Sequence, residues 1–255
     1  MDDPSAGALS VTVLGCSGTF AGPDGACSGY LVRGGGATVV VDLGSGALAN
    51  LQRHVDLAAV DAVVLSHEHP DHWLDLPVLR NALRYVLDLG DLPVYGTAGT
   101  RALAEGVMGG DLAPTLLWHT VGAADSLVIG DLHLSFGVTD HPVETLAVRV
   151  EGDGGTLLYS ADTGPAWRPG ALAAGVDTFL CEASLTPADE GTVQHLSARE
   201  AGAMAEAVGA RRLVLTHVVP GVDAGDQAKR AAAAFAGPVD TAAVGATITV
   251  RDHAP

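Results

Sequence analysis

The stretch His67-Glu68-His69-Pro70-Asp71-His72 brings three imidazoles and the Asp71 carboxylate together within six residues. Packing offers no reason for that density. Neutral imidazole and carboxylate are the donors that zinc, manganese and iron accept. Spaced as HxHxDH on a loop, they can direct two ligands to one ion and two to a neighbour; a plain polar surface turn leaves the density unexplained. Farther along, His141 in VTDHPVET, Asp162 in YSADTG and His217 in LVLTHV follow strand-like runs. Each alone reads as well as a hydrogen-bonded structural histidine or a turn aspartate.

The elements that must position these side chains are legible in outline. Residues 62–65 form an apolar, β-branched run that stops at Ser66, so the histidines sit just past a strand end. Residues 9–14 read as a buried strand entering the glycine-rich loop GCSGTFAGPDGACSG, and 30–33 and 38–42 as strands joined by a turn at Gly34-Gly35-Gly36. A short helix is expected over 47–54. A longer one is expected over 74–89, where Leu76, Leu79, Leu83, Val86 and Leu87 recur at three- and four-residue intervals. Strands are expected at 92–95, 127–136, 145–150 and 156–160, followed by helix (197–208), strand (212–216) and helix (225–236). Ser197 and Glu200 are spaced as a capping box. Strands and helices in two similar halves predict an α/β protein, a four-layer αββα sandwich of two mixed β-sheets flanked by helices, as one domain over residues 1–255.

With 48% hydrophobic residues in 255, the chain can bury a sizeable core without staples. Cys16, Cys27 and Cys181 are odd in number and lack CxxC spacing, which suggests neither a disulfide framework nor a cysteine zinc site. The acidic start MDDPSAGALS lacks the pattern of an export signal, so a cytoplasmic location is expected. No apolar run is long enough to cross a bilayer, so no membrane association is expected. Thirty acidic residues against 13 basic ones give a net charge of −17. That field repels a phosphate backbone and opposes a large nucleic acid partner. A small anionic substrate stays compatible, because metal ions dominate the potential inside a site.

HEHPDH after VVLS, with the later His, Asp and His in order, resembles the signature of metallo-β-lactamase fold hydrolases. The resemblance implies that His67, His69 and His141 bind one metal and Asp71, His72 and His217 another, with Asp162 bridging. The two divalent ions would be Zn2+ by preference, Mn2+ and Fe2+ being compatible with the same donors. A hydroxide shared between them would be the nucleophile, with Asp71 helping to orient it. Asp42 in VVVDLGSG matches an aspartate that supports the metal site, although it also reads as a turn residue before Gly44.

YSADTG, FLCEAS, QHLSAREAG and LVLTHV narrow the resemblance to the ribonuclease Z-like branch, which cleaves phosphodiesters. There the matching histidine, here His195, protonates the leaving oxygen or contacts the phosphate, and Glu182 is the candidate to orient it. Cys181 stands where that branch commonly has histidine. The short interval between His141 and Asp162 leaves no room for the arm that grips precursor tRNA. The whole pattern looks nearest to bacterial members that hydrolyse cyclic nucleotides, which implies 3′,5′-cyclic AMP as substrate and 5′-AMP as product. Other outcomes kept open are a ribonuclease Z-like nuclease, an arylsulfatase, a lactonase, or a non-catalytic metal-binding sensor. Members of this branch often form homodimers, and the apolar face of 74–89 would serve either as core or as that interface. Cys27, Ser28 and Tyr30 are expected to be structural rather than base-contacting. His54, His119, His133 and His253 match no motif position.

Overall fold

Strand alternation builds the core. In β3 (Ala37–Leu43), Ala37, Val39 and Val41 pack with Leu134, Phe136, Val148 and Val150 from the opposite sheet. Val40, pointing the other way, packs with Leu48, Leu76 and Leu79 of the flanking helices. In this computed structural model, which describes residues 7–110 and 112–251, two seven-stranded sheets face one another. His253 and the acidic start of the chain lie outside the described residues.

The first sheet runs β14 (Thr247–Thr249), β1 (Ser10–Gly15), β2 (Gly29–Gly34), β3, β4 (Ala62–Leu65), β5 (Leu92–Gly96) and β6 (Leu116–Thr120). The second runs β13 (Val239–Thr241), β12 (Arg212–Thr216), β11 (Thr178–Glu182), β10 (Gly155–Tyr159), β9 (Leu146–Gly152), β8 (Leu132–Val138) and β7 (Ser126–Ile129). Each sheet is half antiparallel and half parallel: β3 to β6 and β10 to β13 are the parallel halves. The expected resemblance between the two halves is therefore present in the pairing itself.

Helices α1 (Ala47–Leu51), α2 (Leu76–Ala82) and α3 (Ala98–Val107) pack on the first sheet, sharing a cluster with Val40, Val63 and Val94. Helices α4 (Ala198–Val208) and α5 (Ala224–Ala232) pack on the second, where Ala201, Ala205 and Ala231 meet Phe179, Leu213 and Leu215. The four layers are those expected. The capping box at the start of α4 is complete, with Ser197 and Glu200 each bonding the other's backbone N–H.

Three expectations need correction. The helix over 74–89 is α2 followed by a wider π turn, Leu83–Leu87, ending at Asp88 in the left-handed region (φ 52°). The wider turn carries Val86 and Leu87 off the buried face that Leu76, Leu79 and Leu83 occupy, and Val86 is 79% exposed. The strand over 127–136 is a hairpin, β7 and β8, turning at Gly130-Asp131. The helix over 47–54 is helical only to Leu51. Elements not expected from the sequence include α3, which buries only Thr100 and Ala104, the edge strands β6, β13 and β14, and the buried strand β11 that carries Glu182.

Candidate functional site

The site lies where strands of both sheets end, and the backbone there is bent into uncommon conformations. Asp42, next to last in β3, has φ 56°, Ala161 follows β10 with φ 51°, His217 follows β12 with φ 54°, and Thr19 in the first loop has φ 66°. A left-handed conformation costs a non-glycine residue about 1–2 kcal/mol, and such strain concentrates at functional sites. At Asp42 the effect is visible. Strict alternation would send its side chain to the helices with Val40, yet Leu43 packs there and the carboxylate turns in toward the second sheet, meeting the Tyr159 hydroxyl. Gly44 follows because a Cβ at that position would run into the carbonyl of Asp71.

All seven metal-candidate side chains predicted from sequence converge here. His67 Nε2 lies 3.1 Å from His69 Nδ1, which lies 3.1 Å from His141 Nε2. Beside this group, His72 Nε2 lies 3.3 Å from His217 Nε2, which lies 3.2 Å from Asp71 Oδ2. Asp162 stands between, with one oxygen toward each group: Oδ2 is 3.6 Å from His67 and 3.9 Å from His141, and Oδ1 is 3.2 Å from His72 and 3.4 Å from His217. His67, His69, His141 and Asp162 are close enough to share one ion, as are Asp71, His72 and His217.

The opposite ring nitrogens are tied back. His72 Nδ1 donates to Asp42 Oδ2 (2.8 Å). Ser66 Oγ donates to the same oxygen (2.8 Å) and so accepts from His67 Nδ1 at 3.0 Å. Ser184 Oγ, donating to Glu182 Oε2 (2.9 Å), accepts from His217 Nδ1 at 2.7 Å, and His141 Nδ1 donates to the Gln194 carbonyl (3.2 Å). With each Nδ1 carrying its proton outward, the Nε2 atoms of His67, His72, His141 and His217 face inward. Lone pairs crowded at such distances repel unless a cation lies between them. Asp162 Oδ1, buried and near two of these nitrogens, makes no hydrogen bond of acceptable geometry. The donor set therefore suits divalent metal.

Electrostatics agree. Burial, then neighbouring His72, holds His67 well below the usual imidazole range, and burial lowers His141. At His72 burial is outweighed by Asp162 and Asp42, which favour positive charge there: a proton on Nε2, or a metal ion in that proton's place. Asp71 and Asp162 are likewise held low against burial, Asp71 by the His217 hydrogen bond and His72, Asp162 by the charges of His217 and His72. Both stay ionised, as ligands must.

His195 borders both groups. Its ring stacks on His217 (centroids 5.7 Å apart) and meets His141 edge-on (5.1 Å). Its Nδ1 donates to Glu182 Oε1 at 2.9 Å. Glu182, fully buried, also accepts from the backbone N–H groups of Thr163 and Leu196. Burial opposes a charge on His195, but the Glu182 hydrogen bond and charge prevail and raise it to about 9. Asp162, His195 and His217 form a further group of ligand-competent atoms.

Tyr30 and Ser28 are buried in the core, as expected of structural residues, and the Tyr30 hydroxyl is taken by Thr216. Sequence reasoning did not weigh Ser66, Ser184, Tyr159 or Thr19. Thr19 donates its backbone N–H to Asp71 Oδ2 (2.8 Å), which places the first glycine-rich loop against the site. Ser66 and Ser184 stood beside the recognised motifs, and adjacency to a ligand was the signal available.

Residues 37–218 match the family described as the β-lactamase superfamily domain. The chain is 39% identical over 254 residues to the uncharacterized protein Rv1339 of Mycobacterium tuberculosis, covering 95% of this chain and 93% of that one. It is 30% identical over 249 residues to ribonuclease Z of Mycobacterium bovis, covering 86% and 89%. With the probable metallo-hydrolase YhfI of Bacillus subtilis it shares 33% identity over 219 residues (82% and 87% covered). The crystal structure of YhfI, a metallo-β-lactamase fold protein, matches with a TM-score of 0.85 at 30% identity over 94% of this chain and 98% of that one. The chain belongs to the β-lactamase superfamily. It has the metallo-β-lactamase fold and is a metal-dependent hydrolase.

Proposed function

We propose that the protein is a dinuclear phosphodiesterase that hydrolyses a small anionic phosphodiester, with 3′,5′-cyclic AMP converted to 5′-AMP as the preferred reaction. The observation that carries this is His195, oriented by the buried Glu182 at the edge of both donor groups. A site that only stored or sensed metal has no use for an imidazole so placed.

His67, His69, His141 and Asp162 would hold one ion, and Asp71, His72, His217 and Asp162 the other. Zinc is preferred, with manganese or iron accepted by the same donors. Ions bound there supply Lewis acidity toward a phosphoryl oxygen and lower the pKa of water. The chain's own residues do the rest. Asp71, its Oδ2 fixed by the Thr19 N–H, orients the attacking water. His195 gives its Nε2 proton to the departing 3′ oxygen while Nδ1–H stays bonded to Glu182, which stabilises the imidazolium before transfer. With Nδ1 so engaged, His195 has one nitrogen left, and its position at the rim favours the leaving group over a third ligand role.

A small substrate is supported over a long RNA by the charge of −17. It is supported too by the interval between His141 and Asp162, which the β9–β10 hairpin fills with no inserted arm. Free Cys16, Cys27 and Cys181 support a cytoplasmic reading. Among the described residues no helix is long and apolar enough to cross a membrane. The exposed Leu74, Val78, Tyr85 and Val86 support pairing of two chains through the 74–89 segment, which sedimentation at micromolar concentration tests: a monomer there excludes it.

Substrate class is tested by offering the metal-loaded protein 3′,5′-cyclic AMP, a linear phosphodiester, an aryl sulfate and a lactone side by side. Turnover of the cyclic nucleotide to 5′-AMP is expected; turnover of the sulfate or lactone alone refutes the assignment.

A further inference from the structure

Two tyrosines cross between the sheets beneath the site. Tyr159, on β10 of the second sheet, donates its hydroxyl to Asp42 Oδ2 of the first sheet at 2.8 Å. Tyr30, on β2 of the first sheet, shares a 2.6 Å hydrogen bond with Thr216 on β12 of the second. Their rings are 4.9 Å apart, tilted by 56°, and both are buried. The two bonds are alike in length and burial and differ in what lies at the far end.

Asp42 Oδ2 also accepts from His72 Nδ1 and from Ser66 Oγ, each at 2.8 Å, and Ser66 Oγ meets His67 Nδ1 at 3.0 Å. Its other oxygen accepts from the Ser66 backbone N–H. One carboxylate thus sets two imidazoles, one in each donor group, and the Tyr159 phenol is its link to the second sheet. Thr216, by contrast, hydrogen-bonds no imidazole among the described residues. His67, His69, Asp71 and His72 follow a strand of the first sheet, and His141, Asp162 and His217 follow strands of the second. A donor set shared in this way needs the two sheets held in fixed relation at the level of the ligands.

We propose that Tyr159 is a positioning residue for the metal site, its hydroxyl holding Asp42 where Asp42 orients His72 and, through Ser66, His67. The proposal rests on the metal-site reading given under Proposed function. Without that donor, Asp42 keeps its bonds from His72 and Ser66 but loses its hydrogen bond to the second sheet. The carboxylate and the two imidazoles bonded to it can then shift together relative to the donors of the second sheet, and the shared site loses its fixed geometry.

The experiment compares Tyr159→Phe with Tyr30→Phe, each deleting one buried hydroxyl from the same core. Zinc affinity is measured by competition with a chelator, bound zinc by mass spectrometry, and metal-free stability by thermal unfolding. Tyr159→Phe is expected to weaken zinc binding about 10-fold or more, the usual scale for an outer partner of a ligand, while Tyr30→Phe leaves it unchanged. Equal affinity in Tyr159→Phe and the wild type overturns the proposal, and so does equal weakening in both variants, which marks a merely structural role. If the wild type binds no zinc, manganese or iron, the metal-site reading fails first; the wild-type titration tells the two failures apart. A measurement without substitution guards against a variant that does not fold. In protein carrying 13Cζ-labelled tyrosine, zinc is expected to shift the Tyr159 resonance and leave that of Tyr30 in place. Zinc that binds and moves neither overturns the proposal.

Discussion

In the proposed reaction, His195 and Glu182 form the pair on which protonation of the leaving group turns. A positioned imidazole acid contributes about 10²–10⁴-fold, so His195→Ala should lower kcat by that factor while metal content is kept. An acid must carry its proton, and the Glu182 hydrogen bond and charge raise His195 against burial, so activity should fall on the alkaline side as that proton is lost. Glu182→Gln removes the carboxylate and lets the imidazole drop toward its ordinary value of about 6.5, moving the alkaline fall to lower pH. A pH–rate profile of kcat for the two proteins checks this; an unmoved alkaline limb contradicts the role given to Glu182. His67, His69, Asp71 and His72 were legible in the sequence because they are contiguous and too dense for packing. His141, Asp162, His217, His195 and Glu182 were legible only by resemblance, because each alone is an ordinary strand-end residue. Ser66, Ser184 and Tyr159 were not, since a hydroxyl in or beside an apolar strand looks like core until its partner is known, on a neighbouring strand end for the serines and across the sandwich for Tyr159.

At the level of elements, the site depends on how abruptly strands stop. β3 delivers Asp42 only because its backbone turns left-handed there, and the next turn brings Gly44 against the Asp71 carbonyl. Gly44→Ala should force the HxHxDH loop away from that turn. The expected result is weaker zinc binding by about 10-fold or more in a protein that retains its circular dichroism spectrum. Undiminished affinity would show that the loop is not held through this contact. Strand-end placement of the histidines was foreseeable from the β-branched run 62–65. The π turn at 83–87 was not, because leucines at three- and four-residue intervals fit an α-helix equally well and only packing reveals the wider turn. Strand β6, largely exposed at a sheet edge, and α3, which buries little, left no periodic trace.

Across the whole molecule, the candidate donors come from both sheets, so metal bound among them would also bind sheet to sheet. Residues 7–251 are proposed to unfold as one unit, with a single thermal transition that rises on zinc addition and falls with a chelator. Free zinc at a hundred times the dissociation constant adds about 2.7 kcal/mol for each site. Two separate transitions would argue for independent halves. The αββα layering was legible because both halves repeat the same order of strands and helices, whereas the matched change from antiparallel to parallel pairing in each sheet depends on tertiary contacts.

The most direct test is 5′-AMP formation from 3′,5′-cyclic AMP by zinc- or manganese-loaded protein, followed by chromatography beside Asp162→Ala. Asp162 faces both donor groups, so its removal should abolish turnover shown by the wild type. No 5′-AMP from wild-type protein carrying two metals per chain, or equal turnover by Asp162→Ala, would contradict the assignment of a dinuclear cyclic nucleotide phosphodiesterase.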